Sequence, residues 1–142
     1  MIRFATKKDI PDINKLGLIL NKNFIKTYDI DNYLSNDNYL IVVNDDKIIN
    51  GLLITYKNLD YWELEVIVVA PNYRRQGIAS NLLSKLITDY AKGKDILLEV
   101  SVDNVPACDL YKKNKFEVIN IRKNYYDKTD AYVMKRVVKW KM

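Results

Sequence analysis

The chain has 142 residues, 49% of them apolar and 29% charged, which is long enough for one buried core and too apolar for a disordered segment. One cysteine and no histidine exclude an internal disulfide and leave no ordinary donor set for zinc or another transition metal; the lone thiol fits a reducing, cytoplasmic setting. The net charge of +5 is carried by dispersed lysines, so a nucleic-acid binder is not expected, and with no run of eighteen apolar residues and no apolar stretch behind MIRFATKKDI, neither a membrane span nor a signal peptide is expected.

No repeat, low-complexity tract or Pro/Gly-rich linker divides the chain, so residues 1–142 are read as a single domain. Residues 2–5 form a short strand. Thr6 and Asp9 have the spacing of a capping box, and Ile10, Ile13, Leu16 and Leu20 recur at helical spacing behind it, with Pro11 tolerated in the first turn. The polar region 21–38 reads as a loop plus one short second helix. Residues 39–43 and 48–56 are β-rich runs around NDDK, a hairpin signal. Residues 61–69 are a further strand, on which simple alternation puts Glu63 and Glu65 on one face with Ile67 and Val69. Residues 77–91 are an amphipathic helix stopped by Gly93; 96–102 is a strand; 105–113 is a short helix with Pro106 in its first turn. Residues 116–122 and 131–138 are the last strands. The order β α α β β β α β α β β is a mixed α/β pattern.

The segment NYRRQGIAS joins strand 61–69 to helix 77–91. The first amides of a helix lack intrahelical partners, and its dipole favours an anion there. Gly77 allows close backbone approach and Ala79 keeps the next turn slim. Arg74 and Arg75 add positive charge at the end of the helix that repels it, so the turn calls for an anion such as a pyrophosphate.

With Arg74, Gly77 and Ala79 in the marked places, RRQGIA resembles the Q/R-x-x-G-x-G/A signature of the GNAT N-acetyltransferase superfamily. The likeness continues through Ile2-Arg3, Ala5-Thr6, Asp9-Ile10, Ile67-x-Val69-x-Pro71, Leu98-Glu99-Val100, Asn104, Ala107, Leu110-Tyr111 and Phe116. LEVSVDN, ACDLY, RKNYY and DAYVM are similar to the ribosomal-protein-alanine N-acetyltransferases. The resemblance implies a GNAT (acyl-CoA N-acyltransferase) fold: a mixed, twisted central sheet flanked by helices and splayed between strands 61–69 and 96–102, with the last two strands an antiparallel pair beside it. It implies acetyl-CoA as co-substrate and direct transfer to an amine acceptor such as a protein N-terminus. The backbone of Ile67, Val68 and Val69 would pair with the pantetheine arm. The amides of Arg75, Gln76, Gly77, Ile78, Ala79 and Ser80 would cradle the pyrophosphate, and Asn104 would touch the cofactor arm or cap the helix it precedes.

By the same resemblance Glu99 is the base and Tyr111 the acid. A glutamate inside ILLEVSV would be pushed up in pKa if buried there. Glu63 is the alternative base, and Tyr125 and Tyr126 would line the acceptor groove. Cys108 reads as a small core filler. The chain departs from the family pattern at Ser101 and Asp103, at Thr129, in KNFIKTYDIDNYL, and at Asn114-Lys115-Phe116. There a glycine is missing, and Lys115 is expected to take a positive φ unless the turn differs. A small-molecule amine or a lysine side chain as acceptor, and a module that binds acyl-CoA without turnover, remain open alternatives. The sequence leaves the oligomeric state open.

Overall fold

A computed structural model of the chain describes residues 1–126 and 129–138, without the side chain of Tyr126. Seven strands form one sheet: β1 Ile2–Phe4, β2 Tyr39–Asp45, β3 Ile49–Lys57, β4 Tyr61–Val69, β5 Asp95–Ser101, β6 Glu117–Tyr126 and β7 Thr129–Arg136. Five helices accompany them: α1 Ile10–Leu20, α2 Phe24–Thr27, α3 Ile30–Leu34, α4 Ile78–Lys85 and α5 Val105–Lys113. The sheet order is β1-β2-β3-β4-β5-β7-β6, with only the central β4–β5 pair parallel. Both faces are covered. Ile13, Leu16, Phe24 and Ile30 of α1–α3 bury one face, while Ile78, Leu82 and Leu83 of α4 and Cys108 and Tyr111 of α5 bury the other.

The start of the chain is fixed electrostatically. Both terminal nitrogens of Arg3 donate to Asp9, at 2.8 and 2.9 Å, and the Thr6 amide donates to the same carboxylate at 2.8 Å. The expected capping box is present, on a single tight turn that leads into α1. Hydrogen bonding from Arg3 holds the Asp9 carboxyl down at about 2. A depressed folded-state value stabilises the fold above the ordinary carboxylate range, and that contribution is lost as pH falls toward 2.

Three local expectations are corrected. The region 21–38 holds two short helices, not one, because Asp29 supplies a second N-cap by accepting from the Asn32 amide. The helix expected over 77–91 is α-helical only to Lys85 and widens into a π-turn over Leu86–Tyr90, closed by the Ala91 amide on the Leu86 carbonyl at 2.7 Å. The Thr88 hydroxyl donates to the Ser84 carbonyl at 2.9 Å, a bond that competes with the regular ladder. Third, β6 runs four residues beyond the expected end at 122, carried by a hairpin in which Asn124 has φ 54° and its amide donates to Asp130 at 2.9 Å.

The correction that most affects the site is on β4. Thr55 pairs with Leu64 and Ile54 with Val66, so Glu65 is an extra residue in a β-bulge. Before it, Trp62 and Leu64 pack on the α4–α5 side. After it, Ile67 and Val69 take that side and Val66 and Val68 take the other. The bulge shifts the alternation by one, so Glu63 does not share a face with Ile67 and Val69. It faces the α1–α3 side, where its cross-strand partner is Tyr56.

Two backbone positions govern the approaches to the site. Gly77 precedes α4 with φ +79°, and a Cβ built there would meet nothing within 4 Å, so only backbone conformation demands glycine. Lys115 follows α5 with φ 72°. Its amide donates to the Lys112 carbonyl and the Phe116 amide to the Tyr111 carbonyl, a Schellman closure in which the Phe116 ring lies 5.7 Å from the Tyr111 ring. The missing glycine therefore leaves the turn intact and strains Lys115. Lys115→Gly should stabilise the fold by about 1 kcal/mol and raise the thermal midpoint by about 3 °C. Gly77→Ala should cost about 1–2 kcal/mol by the same physics. Thermal denaturation of both variants checks the two signs together.

Candidate active site

β4 and β5 are paired from Tyr61↔Asp95 to Leu64↔Leu98 and then part. Beyond that point lies a cleft of about 1160 Å³, bounded by Glu65–Val69 on one strand and Glu99–Ser101 on the other. The bulge at Glu65 sits where pairing stops, and a bulge bends the strand that carries it. The splayed sheet is thus built from the sequence position of one extra residue.

On the α4–α5 side, the cleft is lined by Ile67 and Val69, by Gly77, Ile78, Ala79 and Ser80, and by Asn104, while Val68 lines it from the opposite face. These sequence-selected residues come together. Arg75 also lines it, exposed and at φ 65°, while Gln76 lies in the same turn but is not part of the lining. The turn can present successive amides to an anion, and α4 directs its N-terminus there. α4 can sit close to the sheet because β3 offers Gly51 beneath it; a Cβ there would lie 2.8 Å from the Ile78 side chain. Arg74 is not a free cation at this turn: its Nε donates to the Val69 carbonyl at 3.2 Å and ties the turn to the end of β4. Asn104 caps α5, accepting from the Ala107 amide at 3.3 Å, and faces the cleft as well.

Tyr111 is buried to 6% exposure on α5 and reaches the cleft wall from this side. Cys108, one position past the first turn of the same helix, is buried against the Ser101 carbonyl at 3.6 Å, and burial pushes its thiol up. That is the environment of a packing residue.

The α1–α3 side is different in chemistry. Ile96, Leu98 and Val100 of β5 enter the α4–α5 core, which turns Glu99 to the opposite face. Glu65 and Glu99 line the cleft there with Tyr28 and with Leu20, Asn21 and Lys22 at the end of α1. Burial first, then repulsion from Glu99, pushes the Glu63 carboxyl up, with Arg122 opposing; burial and then Glu63 do the same to Glu65. Glu99 does not occupy the apolar setting that its strand neighbours suggested. Arg122 Nε lies 3.2 Å from Glu99 Oε1, and the Tyr125 phenol is hydrogen-bonded to the same carboxylate. The side chain of Tyr126 lies outside the described residues.

A file of tyrosines backs this wall. Tyr28 meets Tyr33 edge-on, Tyr33 stacks on Tyr39 with centroids 3.7 Å apart, and Tyr39 packs against Tyr56 at 4.9 Å. Burial raises the Tyr39 phenol. Sequence reasoning did not find the Glu65 bulge, the Arg122–Glu99 pair or Tyr28. Nothing local in the sequence marked the bulge or the pairing of residues 99 and 122.

The same arrangement recurs among known proteins. The model of the family described as "Acetyltransferase (GNAT) family" matches residues 15–116. An N-alpha-acetyltransferase of Saccharolobus solfataricus is 44% identical over 75 residues, covering 49% of this chain and 44% of the relative. The [ribosomal protein bS18]-alanine N-acetyltransferase of Escherichia coli is 40% identical over 80 residues, covering 55% of this chain and 54% of the relative. These matches span about half the length of the curated relatives. In three dimensions, the crystal structure of the ribosomal-protein-S18-alanine N-acetyltransferase from Escherichia coli superposes with a TM-score of 0.82 at 25% identity, covering 100% of this chain and 96% of that one. The family match runs from α1 across the splayed strands, the glycine turn and α5 to Phe116, the part of the fold that forms the cleft, and the chain belongs to the GNAT acetyltransferase family.

Proposed function

We propose that the chain is an acetyl-CoA-dependent N-acetyltransferase that moves acetyl directly onto the α-amine of a protein N-terminus. The observation that carries this reading is the two-sided cleft. Where β4 and β5 part, an amide-lined glycine turn on one side meets a wall of carboxylates and tyrosines on the other. Relatives named for N-alpha-acetylation support the choice of acceptor. A cytoplasmic location belongs to the same proposal and rests on the single buried thiol of Cys108.

In this reading the thioester arm lies along Ile67, Val68 and Val69, adding backbone hydrogen bonds where β5 no longer supplies them. The pyrophosphate rests on the amides of Arg75, Gln76, Gly77, Ile78, Ala79 and Ser80, and Asn104 contacts the arm. The left-handed Gly77 turn at the head of α4 fits this, since it lines the cleft and leaves the backbone open to close approach. The acceptor enters past Tyr28 and Tyr125 as an ammonium and gives one proton to Glu99, or to Glu63 as the alternative base. Its nitrogen attacks the thioester carbonyl, the C–N bond forms and the C–S bond breaks. Tyr111 donates its proton to the departing thiolate, the second amine proton restores the Tyr111 phenol, and Glu99 releases the first proton to solvent. No acyl-enzyme is needed, because the thioester is already activated.

Thiol release from acetyl-CoA, measured against short peptides, spermidine and lysine, tests the acceptor. Release with free-N-terminal peptides, abolished by blocking that terminus, is the expected result; release with small amines alone would overturn the protein-acceptor reading, and cofactor binding without release to any amine would favour a sensing module. Glu99→Gln and Tyr111→Phe should each lower kcat by on the order of a hundredfold with acetyl-CoA binding retained, read by steady-state kinetics and calorimetry.

A further inference from the structure

Arg122 sits on β6, at the sheet edge, outside the cleft lining, and its side chain is 52% exposed. An ion pair so exposed adds little to stability. Its geometry is nonetheless specific. Arg122 Nε meets Glu99 Oε1 at 3.2 Å, its guanidinium lies 5.3 Å from the Tyr125 ring centroid, and the Tyr125 phenol bonds back to Glu99. Arg122 and Tyr125 thus close a ring with the Glu99 carboxylate. The backbone makes the ring possible. Register slips between Arg122 and Tyr126, with Asn124 at φ 54° and held by Asp130, so the edge strand bends and residues 122 and 125 both reach Glu99.

The ring sits among like charges. Glu63 and Glu65 of β4 face the same side, with Tyr56 of β3 opposite Glu63, Tyr39 of β2 in electrostatic contact with Glu65, and Tyr28 and Lys22 across the cleft. Arg122 is the cation paired with a member of this trio among the described residues. Without it, three neighbouring carboxylates would share protons, since adjacent like charges cannot all ionise freely.

We propose that Arg122 is a positioning residue for acyl transfer: with Tyr125 it clamps Glu99 in one orientation and keeps the Glu63–Glu65–Glu99 cluster able to accept the acceptor's proton at neutral pH. The inference rests on the reading above, in which this cluster deprotonates the amine. Tyr125 then has a second task besides lining the groove, since its phenol fixes one side of the carboxylate whose other side Arg122 holds.

The test is Arg122→Gln beside Arg122→Lys. In Arg122→Gln, kcat/KM with the best peptide should fall on the order of tenfold at neutral pH, its acid limb should move to higher pH, and acetyl-CoA affinity and the thermal midpoint should stay at wild-type values. Arg122→Lys, which restores charge without the planar fork, should return the acid limb toward wild type and recover only part of the rate. Independently of turnover, the Glu63 side-chain carboxyl, followed by carbon-13 NMR, should titrate at higher pH in Arg122→Gln than in wild type. An unmoved acid limb together with an unmoved Glu63 titration would overturn the proposal, as would a rate loss matched by loss of fold. If the wild-type chain acetylates no amine, the functional reading fails by itself, and the Glu63 titration still decides whether Arg122 sets the protonation of the cluster.

Discussion

Everything in this molecule depends on the point at which two parallel strands stop being partners. Backbone amides and carbonyls inside a sheet need hydrogen bonds. β4 keeps its bonds to β3 along its whole length but loses β5 after Leu64. The bulge at Glu65 makes the separation structural: the extra residue bends β4 and turns its side-chain alternation over. A strand edge is then opened in the middle of a sheet, walled by helices on both faces. In the proposed function an extended, amide-bearing arm pairs with that edge.

The two faces divide the work. On the α4–α5 side the design is backbone-led: Gly77 and Arg75 hold the left-handed conformations of the turn, Gly51 lets α4 come down onto β3, and the Lys115 turn packs Phe116 against Tyr111. Strain concentrated at such positions is tolerated where the surroundings over-determine the conformation. On the α1–α3 side the design is electrostatic. Carboxylates on β4 and β5 are half-buried against tyrosines, and the bent end of β6 brings Arg122 back to offset them. An entering ammonium would relieve the same repulsion, which gives a cationic acceptor a reason to bind before any chemistry occurs.

The sequence was most informative where function lies in backbone conformation. Arg74-Arg75-Gln76-Gly77 declares a turn, an anion and a helix start at once, and the positive φ of Lys115 followed from a glycine missing at a helix end. Period-2 alternation holds on either side of the bulge and fails across it, because a bulge inserts one residue without changing composition; grouping Glu63 with Ile67 and Val69 is therefore corrected. Glu99 was legible as a chemical group but not in its surroundings. Its apolar strand neighbours point to the other core, and its real partners, Arg122 and Tyr125, come from a hairpin more than twenty residues away. Local pattern reports which face a residue occupies and is silent about which distant strand crosses it.

This also explains why the chemistry sits where it does. In the proposed transfer the base and the acid stand on opposite faces of the sheet. Here Glu99 leaves β5 toward the α1–α3 side and Tyr111 lies in the α4–α5 core, so the sheet itself stands between them. They share only the gap where β4 and β5 have parted. A thioester laid in that gap would show its carbonyl to an amine arriving from the carboxylate side and its sulfur to the phenol on the other. In the proposed direct transfer the amine's proton is taken on one face and the sulfur is protonated from the other, across the opening that begins at the Glu65 bulge.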